Sequence, residues 1–331
     1  MSTLTLLPDT ASPLSRETAA QAFADLLDAR TSESEIETFL IGLTERGETS
    51  IEIAEAARAM RARLLPIDAP PGTVDVCGTG GDGHHTLNVS TAVSIVVAST
   101  GVPVAKHGNR AASSKAGAAD TLEVLGLDMH RAGLCAEASL RDIGIAFLFA
   151  ANHHPAMKRI TPIRQRLGRR TIFNLMGPLA NPAGVTRQLI GIARPDYVAT
   201  YAAALEQLGT EAALVVSGEE GLDELSSAGP SIAVSIGQVA LPDIIVPEDA
   251  GLPRYPVSAI RGGDAAYNAA ALRRLLQGEA GPYRDAVLFN TAAALIVAGT
   301  SQTLAEGVEI ARDAIDSGAA NGLLDRWIAY S

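Results

Sequence analysis

Residues 73–91 read TVDVCGTGGDGHHTLNVST. The β-branched run Thr73–Cys77 predicts a strand. Gly78-Thr79-Gly80-Gly81-Asp82-Gly83 leaves it, and Thr86, Asn88, Ser90 and Thr91 lead into a helix. Glycines let the backbone approach a ligand, and consecutive amides at a helix N-terminus form an anion-binding concavity. Asn88, Ser90 and Thr91 add short polar groups able to hold phosphate oxygens or a metal. A tight turn without any ligand would use the same letters. The spacing fits neither a P-loop nor a dinucleotide fingerprint.

Moving downstream, the window Val89–Ala105 is strongly apolar but interrupted by Ser, Thr, Gly and Pro, so it predicts a buried helix followed by a strand and no membrane span. The strand–loop–helix unit recurs, with further candidate strands at Val102–Ala105, Ile145–Phe149, Gln188–Ile192 and Ala212–Val216. Alternation with Ala-rich helical segments predicts an α/β sheet covered by helices. The strands run into Lys106-His107-Gly108-Asn109-Arg110, Asn152-His153-His154-Pro155, Ala193-Arg194-Pro195 and Ser217 to Glu224. Ligands of open α/β sheets bind outside the carboxyl ends of strands, so four of these five loops are expected to converge.

Upstream, the pattern is helical. Ser32 and Glu35 have capping-box spacing ahead of Ile36, Phe39, Leu40 and Leu43. Thr49 and Glu52 repeat it after a stop at Gly47, followed by Ile53, Ala56, Ala57, Met60 and Leu64. With Phe23, Leu26 and Leu27 these form a small helical unit, closed by Pro66, Pro70 and Pro71. The expected division is a helical domain over 1–66, with a later helical contribution from about 160–182, and an α/β catalytic domain over 67–331.

The 331 residues are 47% hydrophobic and 19% charged, which excludes a disordered chain. A net charge of −11 argues against binding nucleic acid or an anionic membrane. A polyanionic substrate must therefore be met locally, by basic side chains, amides or metal ions. Cys77 and Cys135 lack metal or redox neighbours, and no basic flank precedes an apolar run at the N-terminus. A reducing, cytoplasmic setting is expected.

Lys106, Arg110, Ser113 and Ser114 suit a phosphate-rich ligand, although a solvated basic turn or a structural His107 would look alike. Asp223-Glu224, without Cys or His nearby, favours Mg²⁺ over softer metals; a surface pair or helix cap is the plain alternative. An arginine among Arg159, Arg164, Arg166, Arg169 and Arg170 could fork onto a carboxylate, but spacing does not say which. The nearby Gly177-Pro178 and Asn181-Pro182 pairs predict rigid turns. No Ser-His-Asp order or zinc spacing is present.

Taken together, the blocks GTGGDGHHTLNVST, KHGNRAASSKAGAADTLEVLG, HHPAMKRITPIRQRLGRRTIFNLMGPLANP, GLDELS, RGGDAAYNAAALRRLL and FNTAAALIVAG make the chain resemble the anthranilate phosphoribosyltransferase family over essentially its whole length. The resemblance implies a small helical domain joined to a large α/β domain with a central, mostly parallel sheet, like that of pyrimidine nucleoside phosphorylases. It also implies a homodimer formed through the helical part. By resemblance, Gly78, Gly81, Asp82, Thr86, Asn88, Val89, Ser90 and Thr91 contact phosphoribosyl pyrophosphate. So do Lys106, His107, Gly108, Asn109, Arg110, Ala111, Ala112, Ser113 and Ser114. Ser90, Asp223 and Glu224 are implied to hold two Mg²⁺ ions. Gly78, Asn109 and Arg164 are implied to receive anthranilate, with His107, His154 and Pro178 shaping its channel. Lys106, Arg164, Asp223 and Glu224 are the implied catalytic group. The chain departs from the family pattern at Ala118, where many relatives have serine, and at Ser217, where histidine is more usual.

The implied reaction is attack of the anthranilate amine on C1′ of the ribose as pyrophosphate leaves, with leaving-group charge as the main problem. Two other readings compete. A nucleoside phosphorylase of the same superfamily should lack the Lys106–Arg110 block and the acidic pair; a non-catalytic, nucleic-acid-binding relative should be basic. This chain fits neither description.

Overall fold

Ser15, Ser32 and Thr49 each open a helix, their side-chain oxygens accepting from the backbone N–H three residues on. The computed structural model, which describes residues 5–111 and 115–331, places these helices at Arg16–Leu27 (α1), Glu33–Arg46 (α2) and Ser50–Arg61 (α3). The Thr49–Glu52 capping box is complete. The one expected at Ser32 is half formed, because the Glu35 carboxylate turns to the backbone N–H of Leu7 at 3.2 Å. α2 stops at Gly47 with φ of 92°.

The chain then enters the sheet. Val74–Gly78 (β1), Val89–Ser99 (α4) and Val104–Gly108 (β2) come first, followed by Ala118–Leu125 (α5), Met129–Leu134 (α6), Ala136–Ile143 (α7) and Ile145–Phe149 (β3). Ala150–His153 (α8), Met157–Leu167 (α9) and Met176–Leu179 (α10) lead to Arg187–Gly191 (β4), Val198–Gln207 (α11) and Ala212–Gly218 (β5). Ser231–Gly237 (β6) and Ile244–Ile245 (β7) end the sheet, and Ala265–Leu276 (α12), Pro282–Ala298 (α13), Leu304–Asp316 (α14) and Ala319–Tyr330 (α15) complete the chain.

The strand order is β3-β2-β1-β4-β5-β6-β7, parallel from β3 to β5 and antiparallel beyond. Alternate residues of each strand face opposite layers. Val74, Val76, Leu189, Leu214 and Val216 meet the α4, α13 and α15 side. Cys77, Ile190, Ala213 and Val215 meet the other, where Phe23, Ile36, Phe39, Ile160, Ile163 and Ile172 join them. Both faces are buried, which explains the near-continuous apolar strands. Residues around α9 and α10 thus share a core with the N-terminal helices. No helix among the described residues is long and apolar enough to cross a membrane.

Three expectations need correction. β2 runs to Gly108, so Lys106 and His107 are strand residues and not a loop after the strand, since Pro103 delays the start. The five expected strands omit β6 and β7, whose alternating small and polar residues suit an antiparallel edge. Gly177-Pro178 lies inside the short helix α10 and not in a turn.

Candidate functional site

β1 and β4 are paired neighbours that end side by side at Gly78 and Gly191. Between them the order of connection reverses: β2 and β3 extend to one side of β1, and β4 returns on the other. Such a switch point leaves a crevice at the strand ends. The glycine loop rises from it, with Gly80, Gly81 and Gly83 at φ of 69°, 74° and 79°, a region that side-chain-bearing residues avoid. Thr79 N–H donates to Gly191 O at 2.9 Å, and Ala193 N–H donates to Thr79 Oγ1 at 3.2 Å.

The acidic pair reaches both halves of this loop. Asp223 Oδ2 accepts from Gly80 N–H at 2.7 Å, and Glu224 Oε1 accepts from Ser90 N–H at 3.3 Å, at the start of α4. Burial, and then the charge of Asp82, push the Asp223 carboxyl up to about 7. Burial followed by Asp223 and Asp82 raises Glu224 well above the usual range. Ionisation of Asp223 and Glu224 is therefore unfavourable until a cation compensates it. Among the described residues no group of three or more His, Cys, Asp or Glu is placed to hold a metal ion by itself. An oxygen-only set of few protein ligands is what Mg²⁺ accepts when phosphates and water complete its shell, so the residues fit that ion.

Lys106 lies beneath this position and is only 2% exposed. Its ammonium donates to Val76 O at 2.8 Å and Ser90 Oγ at 3.2 Å. Burial lowers its pKa, opposed first by the charge of Asp75. Asp75 is itself fully buried, and its carboxylate accepts from His107 N–H at 3.2 Å and Asn181 Nδ2 at 2.8 Å. Asn181 Nδ2 also donates to Ala105 O at 2.8 Å. Beyond the Val74–Val104 pair, these two polar side chains stand between β1 and β2. Sequence reading missed both; an aspartate inside an apolar strand was the available signal.

On the far side of β2, His107 Nδ1 lies 2.8 Å from Gly177 O and its Nε2 lies 3.2 Å from His154 Nε2. A carbonyl only accepts, so Nδ1 of His107 carries the proton and, in the neutral ring, its Nε2 can only accept. Burial, then the neighbouring histidine, lowers His107 to about 3. Burial and His153 bring His154 to about 4. Pro178 is buried beside them, its carbonyl accepting from Gln188 Nε2 at 2.8 Å.

The five arginines sort clearly. Arg159 caps the carbonyls of Leu26 and Thr31. Arg166 pairs with Glu33 and Glu37, Arg169 with Glu45, and Arg170 with the carbonyls of Gly80 and Gly81. Among the described residues Arg164 donates only to the neutral Asn174 carboxamide, at 3.2 Å, and it is partly buried. Like Arg159 and Arg170 it meets no carboxylate among the described residues, but each of those is committed to two carbonyls, so Arg164 keeps the most donor capacity for an anion; burial lowers its pKa.

Other expected contacts are engaged within the protein. Arg110 forks onto Glu123 at 2.6 and 2.7 Å and reaches Asp120 at 2.9 Å. Asn109 Oδ1 accepts from Arg110 N–H, and Ala111 N–H donates to Asp120. A β-carbon on Gly108 would press the Phe147 ring at 2.7 Å. Asn88 Oδ1 accepts from Thr121 at 2.6 Å and Asn268 at 3.0 Å. Thr86 bridges to Arg261. Val89 and Thr91 are buried, and the Thr91 hydroxyl has no hydrogen-bond partner among the described residues. Asn290 holds the Leu225 backbone just after Glu224, which gives the C-terminal blocks a supporting place behind the site. Ala112, Ser113 and Ser114 lie outside the described residues.

Comparison with known proteins agrees with this arrangement. Residues 9–64 match the glycosyl transferase family helical bundle domain, and residues 70–321 match the glycosyl transferase family a/b domain. Anthranilate phosphoribosyltransferase of Novosphingobium aromaticivorans is 64% identical over 328 residues, covering 98% of this chain and 99% of that one. The crystal structure of anthranilate phosphoribosyltransferase from Thermus thermophilus superposes with a TM-score of 0.92 at 43% identity, covering 97% of this chain and 96% of the other. The Saccharomyces cerevisiae enzyme, solved in complex with PRPP and Mg, has a TM-score of 0.86 at 29% identity over 96% and 93% of the two chains. With a helical domain, a mostly parallel α/β domain and near-complete coverage in each comparison, the chain belongs to the anthranilate phosphoribosyltransferase family.

Proposed function

We propose that this chain transfers the 5-phosphoribosyl group of phosphoribosyl pyrophosphate to anthranilate, releasing N-(5-phosphoribosyl)anthranilate and pyrophosphate, a step of tryptophan biosynthesis. The observation that carries this reading is an acidic pair set against the glycine loop, together with a guanidinium, Arg164, that meets no carboxylate among the described residues. Asp223 and Glu224 call for a cation, and Arg164 calls for an anion.

Ser90, Asp223 and Glu224 would hold Mg²⁺, two ions per site, and activity would depend on it. An ion held there would supply charge neutralisation for the leaving pyrophosphate. The chain's own residues do the rest. The Gly81 and Asp82 amides of the glycine loop, with Lys106 supporting Ser90 from below, receive the donor; the stretch Lys106–Ser114 flanks it. Arg164, helped by Asn109 and the Gly78 backbone, holds the anthranilate carboxylate and aims the amine at C1′. His107 and His154 are neutral, and with Pro178 they wall the acceptor channel. The N–C1′ bond forms, the C1′–O bond breaks with its electron pair leaving on pyrophosphate, and the amine proton passes afterwards to solvent water. The amine lone pair is already free, so no strong base is required. The same reading places the protein in the cytoplasm as a homodimer joined through the helical domain, divided into 1–66, with help from about 160–182, and 67–331.

The test follows anthranilate fluorescence with phosphoribosyl pyrophosphate and Mg²⁺, omitting each in turn. Consumption only in the complete mixture is expected. Consumption that persists without Mg²⁺ would remove the metal, and none in the complete mixture would remove the reaction.

A further inference from the structure

Arg170 lies outside every residue assigned so far to donor or acceptor, yet it grips the glycine loop. Its Nη2 donates to Gly80 O at 2.9 Å and Gly81 O at 2.5 Å. The C=O and N–H of a trans peptide point to opposite sides, and no described peptide is cis. Holding those two carbonyls therefore turns the N–H groups of Gly81 and Asp82 away from the guanidinium. Neither amide has an acceptor among the described residues. The preceding amide, Gly80 N–H, is taken by Asp223. The loop is thus held by a cation on its carbonyls and a carboxylate on one amide, which leaves two successive amides free, as in an anion-binding nest. A β-carbon on Gly81 would lie 2.4 Å from Arg170 Nη2, so the contact also requires glycine there.

The other side of Arg170 leads to the acceptor. Thr171 N–H donates to Asn174 Oδ1 at 3.0 Å, and the same oxygen accepts from Arg164 Nη2 at 3.2 Å. One short segment therefore carries both the guanidinium free for a carboxylate and the guanidinium that shapes the donor loop.

We propose that Arg170 is a positioning residue that presents the Gly81 and Asp82 amides to the donor's pyrophosphate and, through Asn174, ties their placement to Arg164. This rests on the phosphoribosyl-transfer reading above. Steady-state kinetics of Arg170→Gln and Arg170→Lys beside the unsubstituted enzyme, with melting temperatures, test it. For Arg170→Gln the donor KM should rise about tenfold or more while the acceptor KM changes much less, the loss of a charge-assisted hydrogen bond pair. Arg170→Lys keeps the charge without the fixed fork and should fall between. If the unsubstituted enzyme consumes no anthranilate, the functional reading fails. If it is active but donor KM is unchanged in Arg170→Gln, or both KM values rise together with a lowered melting temperature, the role of Arg170 fails alone. Should Arg170→Gln not fold, a donor KM in Arg170→Lys equal to that of the unsubstituted enzyme overturns the proposal.

Discussion

A β-carbon on Gly191 would sit 1.6 Å from the backbone carbonyl oxygen of Asp223, so the acidic loop rests directly on the bare end of β4. Gly191 is not among the glycines of positive φ; the demand there is for space alone. Gly191→Ala should destabilise the fold by about 1–3 kcal/mol, as overpacking does, and should displace Asp223 enough to lower activity further than stability explains. Urea unfolding beside kinetics checks this. Wild-type values for both would show that the loop yields freely.

Arg164→Ala should raise the KM for anthranilate about tenfold to a hundredfold, the worth of one charged hydrogen bond pair. Donor KM should move little. Equal rises in both would assign Arg164 to structure and not to the acceptor.

Asp223→Asn combined with Glu224→Gln should shift the Mg²⁺ requirement upward, because neutral amides are poor partners for a hard cation. A titration of activity against Mg²⁺ decides it. An unchanged midpoint would place the metal elsewhere.

The histidine pair predicts acid sensitivity. His107 and His154 sit at about 3 and about 4, below the ordinary value of 6.5. The unfolded chain therefore takes up protons first as pH falls, so their contribution is whole above 6.5 and is lost on acidification toward pH 4 and 3. Unfolding free energies measured between pH 7 and 4 should fall less steeply in His154→Asn than in the unsubstituted protein. Parallel slopes would contradict the buried neutral pair.

Lys106→Met should lower kcat/KM about 10²- to 10³-fold, the scale seen for one preorganised electrostatic group. Circular dichroism should report an intact fold. Arg is not expected to restore activity, because the ammonium sits in a closed slot between Val76 O and Ser90 Oγ. Full rescue by Lys106→Arg would mean that charge alone matters.

Much of this was legible in the chain. The glycine loop, the Lys106 block and the Asp223-Glu224 pair stand out because their chemistry is local: a loop that needs positive φ, a strand of β-branched residues, adjacent carboxylates. The Thr49–Glu52 cap was equally visible for the same reason. What spacing did not reveal involves groups far apart in sequence. Asp75 meets Asn181, 106 residues on, and Arg170 meets Gly81, 89 residues back. No periodicity encodes such partners.

The sequence by itself determined the class of fold and the inventory of reactive groups, since strand and helix patterns and residue chemistry act over a few positions. Only the tertiary structure decided which groups are spent and which are free. Arg166 and Arg169 are neutralised by glutamates of α2 while Arg164 is not, and Arg110 is taken by Glu123. Lys106 is a buried support and not an exposed loop cation. Charge in a protein is defined by its partners and its access to water, and both are set by which distant segments the sheet brings to one edge.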